Sequence, residues 1–98
     1  MKRVKLERLL TNRDDDTRLN AIQMLSKIGD TKTIRPIKNR LEVETNPVVR
    51  YWLYFTLGHI GGKEAEKILK KSLHLEADTF ARQGIEEGLQ QIASKKIP

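Results

Sequence analysis

The feature that most limits what this chain can fold into is an internal repeat with a period of 32 residues. At this offset Arg18, Arg50 and Arg82 fall in one column without a gap. Other columns are Leu9, Leu41 and Leu73; Leu25, Leu57 and Leu89; and Ile28, Ile60 and Ile92. Three such units occupy residues 1–96 of the 98-residue sequence. Each residue therefore has to be interpreted as part of an array of similar units.

Each unit contains two segments with helical periodicity. We name the segments that begin at an Asp or Asn cap the A helices and the other segments the B helices. The A helices are predicted at residues 14–28, 46–60 and 78–94, and the B helices at residues 2–11, 33–44 and 63–75. Asn46 followed by Pro47 is a typical helix start, and Gly29 and Gly61 suit helix ends. Because no strand pattern is present, we predict an all-α fold. It is an α-solenoid of about six antiparallel helices in three units, forming a single domain over residues 1–98.

Composition narrows the possible classes of protein. With 98 residues, 38% of them hydrophobic and 33% charged, the chain can form one domain with a modest core. The absence of cysteine excludes a disulfide scaffold and a thiolate metal site. The segment MKRVKLERLL interrupts its apolar residues with charges, so it has no hydrophobic signal region. We therefore expect a cytoplasmic protein with no membrane partner.

The segments DDDTRLNAIQMLSKIGDTKTIRPI and NPVVRYWLYFTLGHIGGKEAEKIL resemble the short HEAT-like repeats of the phycobilisome-lyase type. This resemblance covers essentially the whole chain. It implies that the Arg18, Arg50 and Arg82 column is structural and bonds across units to helix-cap residues and loop carbonyls. It also implies that the B helices line a concave surface. The same repeat serves scaffolds, nucleic-acid binders and a few enzymes, so the fold does not determine the function.

Positive charge is concentrated on the B helices. Their segments carry +4, +2 and +2, against −2, +1 and −1 for the A segments. The candidate binding residues on them are Arg3, Arg8, Arg35, Lys38, Arg40, Lys67, Lys70 and Lys71. Rows of cations at unit spacing are suited to the phosphate backbone of a nucleic acid. The alternative is that these side chains are solvated helix faces, with Glu42, Glu44, Glu64 and Glu66 diluting the positive charge.

Four of the five aromatic residues lie on the central A helix. Since Tyr51, Trp52 and Tyr54 cannot all face inward from one helix, we expect one aromatic edge at the surface, and Trp52 is a candidate contact for a protein partner. Two glycines inside the last A helix, Gly84 and Gly88, predict a close approach by a neighbouring helix.

Catalytic signals are weak. Neither His59 nor His74 is followed by the Glu of the His-Glu pairs that hold iron in some HEAT-like enzymes, and the Asp14–Asp16 run suits a helix start better than a metal.

We therefore predict a non-catalytic scaffold without cofactors, a monomer or weak dimer, that binds another protein. The first alternative is nucleic-acid binding through the basic face. The second is an accessory subunit of a lyase-like or chaperone-like system.

Overall fold

The computed structural model describes residues 2–96, and within this range every regular element is a helix. The A helices are α2 (Asp15–Ile28), α4 (Pro47–Ile60) and α6 (Thr79–Lys95). The B helices are α1 (Arg3–Leu9), α3 (Ile34–Leu41) and α5 (Lys63–Leu73), with a 3-10 turn at Thr31–Thr33 ahead of α3. The predicted all-α solenoid of six helices is confirmed.

The A helices begin where the sequence supplies a cap. The side chains of Asp14 and Asp78 each accept a hydrogen bond from the backbone amide three residues later, at 2.9 Å. Asn46 caps α4 in the same way by accepting from the amides of Val48 and Val49. These oxygens accept hydrogen bonds from backbone amides that have no partner inside the helix. Each such cap stabilises the folded state by about 1 kcal/mol. The three A helices therefore start at equivalent positions of the repeat.

A single core lies between the A and B layers. Its fully buried side chains come from all six helices, as expected when each helix turns one apolar stripe toward the other layer. The largest of them are Leu6, Leu10, Ile22, Leu25, Ile37, Leu53, Leu57, Leu69 and Ile85. No side chain of this core carries a charge, so the charged residues are sorted to the two outer surfaces and to the joints between units.

Helices α4 and α6 run parallel and touch backbone to backbone. A Cβ atom added to Gly58 would lie 2.1 Å from the Cα of Gly88, and one added to Gly84 would lie 2.5 Å from the carbonyl oxygen of Tyr51. These contacts confirm that Gly84 and Gly88 serve the close approach of a neighbouring helix. At Gly58 and Gly84 only a residue without a Cβ fits, whereas a Cβ added to Gly88 would meet its nearest neighbour at 3.0 Å.

The joint between α2 and α4 is built differently. Thirty-two residues before Gly58, Gly84 and Gly88 stand Ser26, Trp52 and Thr56. Ser26 and Thr56 are buried and Trp52 is half-buried. The positions that are bare backbone between α4 and α6 therefore carry side chains between α2 and α4.

The B helices have little direct contact with one another, in contrast to the A helices. The concave surface that the resemblance implied for the B helices stays a prediction. Two separate furrows run between the B helices, one between α1 and α3 and the other between α3 and α5.

Candidate partner-binding surfaces

The arginine column is a ladder of structural bonds between successive units. Arg18 is only 4% exposed and donates from Nε and Nη2 to the two carboxylate oxygens of Glu44, at 2.8 and 2.9 Å. Its third donor group, Nη1, reaches the carbonyl oxygen of Asn12 at 2.7 Å. The planar guanidinium fits this forked arrangement, since two parallel N–H groups match the two oxygens of a carboxylate.

Arg50 repeats the arrangement one unit later. Its Nε donates to Glu76 at 2.8 Å, and its Nη1 donates to the carbonyl oxygens of Leu41 and Glu44. The hydroxyl of Tyr54 donates to the same carboxylate at 2.7 Å, and burial together with this carboxylate raises the pKa of Tyr54 to about 12. The predicted structural role is confirmed for Arg18 and Arg50, and these two cations are not free to bind a partner.

Sequence reasoning missed the carboxylates of the ladder. Glu44 was expected only to dilute the positive charge of the B helices, but it is 3% exposed. Burial alone would raise the pKa of Glu44, and hydrogen bonds from Arg18, the Asn46 amide and Arg40 outweigh that effect and hold the pKa below its usual value. The signal was available, because Glu44 and Glu76 each stand 26 residues after an arginine of the column.

Three of the eight predicted basic residues are engaged in ion pairs within the chain. Arg3 contacts Glu7 at 2.7 Å and Arg40 contacts Glu44 at 2.8 Å. Lys70 reaches Glu66 at 3.1 Å from an exposed position, where such a pair contributes little. Arg3 and Arg40 are therefore partly neutralised, and they contribute less to a surface charge than their positions in the sequence indicate.

The other five basic residues are exposed and make no ion pair with any residue in the range 2–96. They are Arg8, Arg35, Lys38, Lys67 and Lys71. All five lie on the B helices. This face therefore carries free positive charge.

The first furrow, between α1 and α3, has an apolar floor and a basic rim. It has a volume of about 360 Å³, and Val4, Leu10, Pro36 and Val43 contribute apolar surface to it. Arg8, Arg35 and Arg40 stand along its sides. The structure therefore brings three of the predicted basic residues together around two exposed apolar side chains, Val4 and Val43, an arrangement that no single helix shows in the sequence.

The second furrow, between α3 and α5, is smaller, with a volume of about 220 Å³. Leu41, Ile68 and Leu75 supply its apolar surface, and its exposed charged residues are Lys38, Lys71 and the acidic Glu42. Because Arg35 and Lys38 are both on α3, one short helix provides cations to both furrows. The B face thus consists of two parallel apolar strips, each accompanied by unpaired positive charge.

Trp52 lies away from these residues. It is half-buried on α4, with its ring centroid 5.2 Å from that of Phe55 and 5.8 Å from that of Tyr51. Phe80 of α6 extends the cluster, 4.9 Å from Tyr51, and is 45% exposed. An aromatic edge therefore reaches the surface as expected, but it does so among the A helices. The structure does not bring Trp52 together with the basic residues.

The described residues offer no obvious catalytic centre. Residues 2–96 contain no group of three or more His, Asp or Glu side chains that could hold a metal ion. Asp14 caps α2, and Asp15 contacts Arg18 and Asn46, so this acidic run is engaged in structural bonds. Among the same residues, no helix has the length and apolar character needed to cross a membrane.

Paired helices stacked in register, with an arginine ladder between the units, define the class of α-solenoid repeat proteins. The sequence matches the family model of HEAT repeats over residues 4–90. The chain therefore belongs to the HEAT-repeat family. No curated protein and no solved structure matches it.

Proposed function

We propose that this protein is a non-catalytic HEAT-repeat module that binds an acidic segment of a protein partner across its B helices. The observation that carries the proposal is the pairing of two apolar furrows with four cations, Arg8, Arg35, Lys38 and Lys71, that make no ion pair with any residue in the range 2–96. HEAT repeats commonly mediate protein–protein interaction, which is the general role within which this specific proposal falls.

Three apolar side chains of this surface are largely exposed to solvent. Val4, Val43 and Leu75 are 48%, 63% and 72% exposed, and they lie in the furrows beside the unpaired cations. Covering such side chains contributes about 25 cal/mol for each Å² of apolar area removed from water. A peptide with alternating acidic and aliphatic residues would satisfy both the apolar floor and the charged rim.

A nucleic acid fits this face less well. A phosphate backbone brings charge but no apolar groups for the furrows, and the aromatic residues that could stack on bases lie among the A helices. Arg3, Arg40 and Lys70, which would add to a phosphate-binding row, are already paired with carboxylates. We therefore favour a protein partner and treat nucleic acid as one outcome of the test. No feature of the described residues favours the accessory-subunit alternative.

The test is fluorescence anisotropy with two labelled probes. The first is a 16-residue peptide of alternating Glu and Leu, and the second is a mixed-sequence DNA duplex; both are titrated at low and at physiological salt. The variant R35E/K38E reverses one cation of each furrow. Its matched control, R13E/K27E, makes the same change in net charge at two exposed residues in and just before α2.

We expect the peptide to bind the wild type and the control. R35E/K38E should weaken binding by about tenfold or more, because two negative side chains then face the negatively charged peptide. Equal loss in both variants would show that net charge alone drives binding, which contradicts a specific B-face site. Tight DNA binding that collapses with salt, with no peptide binding, would replace the proposal by the nucleic-acid alternative.

A further inference from the structure

The set of hydrogen bonds is incomplete at Arg82, the third arginine of the column, and we call this incomplete set the open rung. Arg82 donates from Nη1 to the carbonyl oxygens of Leu73 and Glu76, at 2.7 and 3.2 Å. These bonds correspond to those that Arg50 makes with Leu41 and Glu44, one unit earlier. However, Nε and Nη2 of Arg82, which would hold the carboxylate, have no hydrogen-bond partner among residues 2–96. The side chain is partly exposed, so this edge is accessible.

The complete sets at Arg18 and Arg50, the two closed rungs, show which chemical group the open rung would bind. In each of them one carboxylate binds the arginine fork and also accepts the backbone amide two residues later. That amide belongs to Asn46 for Glu44, at 3.0 Å, and to Asp78 for Glu76, at 3.1 Å. Since Asn46 and Asp78 are the caps of α4 and α6, the carboxylate joins the start of one A helix to the arginine of the preceding one.

We propose that the free edge of Arg82 is a docking point for a helical repeat of another polypeptide, which presents Glu or Asp two residues before a helix cap. The neighbouring surface of α6 supports an interface of polar character. Gln83, Glu86 and Gln90 are exposed there, at the positions that Tyr51, Tyr54 and Gly58 occupy in α4. At this interface, hydrogen bonds around the ion pair between Arg82 and the carboxylate would therefore take the place of the close backbone contact seen between α4 and α6.

A second copy of this chain does not fit the open rung, and Asn12 is the reason. Asn12 stands in the same column as Glu44 and Glu76, and its Oδ1 accepts the amide of Asp14 at 2.9 Å, as a carboxylate oxygen does in the later units. The other polar atom of the Asn12 side chain is its amide nitrogen. This nitrogen can only donate hydrogen bonds, and Nε and Nη2 of Arg82 can only donate as well. The two groups therefore cannot pair. Head-to-tail stacking, which would not close and would grow into filaments, is thereby disfavoured.

A carboxylate supplied on a second copy of the chain tests whether Arg82 is a docking point. In N12E the new side chain of one molecule can reach Arg82 of the next, and N12Q is the neutral control of equal length. Asn12 is exposed, so both variants should keep the wild-type far-UV circular dichroism spectrum. We expect N12E to form salt-sensitive oligomers whose weight-average mass by sedimentation rises about twofold or more with concentration, while N12Q behaves as wild type.

The double variant N12E/R82Q identifies the docking point. It should return the mass to that of the wild type if the new carboxylate pairs with Arg82. The proposal is overturned if folded N12E associates no more than N12Q, or if N12E/R82Q associates as strongly as N12E. N12D provides a second carboxylate variant with the same expected result. The outcome is independent of the B-face furrows, because neither Asn12 nor Arg82 lines them.

Discussion

Replacing Gly58 by alanine should destabilise the protein, although helix propensity alone predicts the opposite. Alanine is favoured over glycine inside a helix by about 1 kcal/mol. At this position, however, the new Cβ would lie 2.1 Å from the Cα of Gly88, where carbon atoms in contact are normally about 3.5–4.0 Å apart. Helices α4 and α6 would have to separate by about 1.5 Å, because neither atom belongs to a side chain that can rotate away.

Inserting atoms into a packed interface costs about 1–3 kcal/mol, and the upper end applies where backbone has to move. Subtracting the gain in propensity, we expect Gly58→Ala to lower the free energy of unfolding by about 2 kcal/mol. The matched control is Gly88→Ala, whose Cβ would meet the Tyr54 oxygen at 3.0 Å and the Leu69 side chain at 3.1 Å. Small shifts relieve those contacts, so the control should change stability by less than about 1 kcal/mol.

The assay is urea unfolding followed by far-UV circular dichroism and by the fluorescence of Trp52, the only tryptophan. Both signals should report one transition, with its midpoint lowered clearly in Gly58→Ala and little in Gly88→Ala. A midpoint for Gly58→Ala at or above that of the wild type would refute the reasoning. It would mean that propensity, rather than the backbone contact, decides stability at this position.

Two further predictions concern the carboxylates of the ladder. Glu44→Gln should lower the free energy of unfolding by about 3 kcal/mol, since it leaves the buried guanidinium of Arg18 with only the exposed Asp15 as a counter-charge. Glu42→Gln, at an exposed position, should have little effect in the same urea assay. Stability should also fall with pH: burial raises the pKa of Glu76, but hydrogen bonds from Tyr54, Arg50 and the Asp78 amide bring it below the ordinary value of 4.5. The stabilising effect is therefore complete above that ordinary value and is lost as the pH drops through the lower, folded-state pKa. Melting temperatures measured from roughly pH 3 to 7 should fall less steeply in Glu44→Gln/Glu76→Gln, and an unchanged slope would contradict the assignment.

Much of this fold could be predicted because the repeat makes local signals reinforce one another. Asp14, Asn46 and Asp78 stand 32 residues apart, and each is the cap of an A helix in the structure. A single cap residue is a weak indication of a helix start, but three in register fix the boundaries. The same register identified the arginine column, whose structural role the hydrogen bonds confirm at Arg18 and Arg50.

The binding surface was less predictable, because it depends on distances between helices. The sequence shows which basic residues lie on the B helices, but not that Arg40 is paired with a buried Glu44 while Arg35 is unpaired. Nor does it show that α1 and α3 stand apart and expose Val43 in a furrow. Helix spacing depends on side-chain volumes in three dimensions, which periodicity does not encode.

The unequal joints between the A helices have a consequence for how the protein bends. Between α4 and α6 the contact is rigid, because glycine backbone rests on backbone and no rotamer can change there. Between α2 and α4, Ser26, Trp52 and Thr56 fill the same positions with side chains that can adjust. We therefore expect any bending of the stack to occur between the first and second units. Such bending would change the width of the furrow between α1 and α3 more than that of the furrow between α3 and α5.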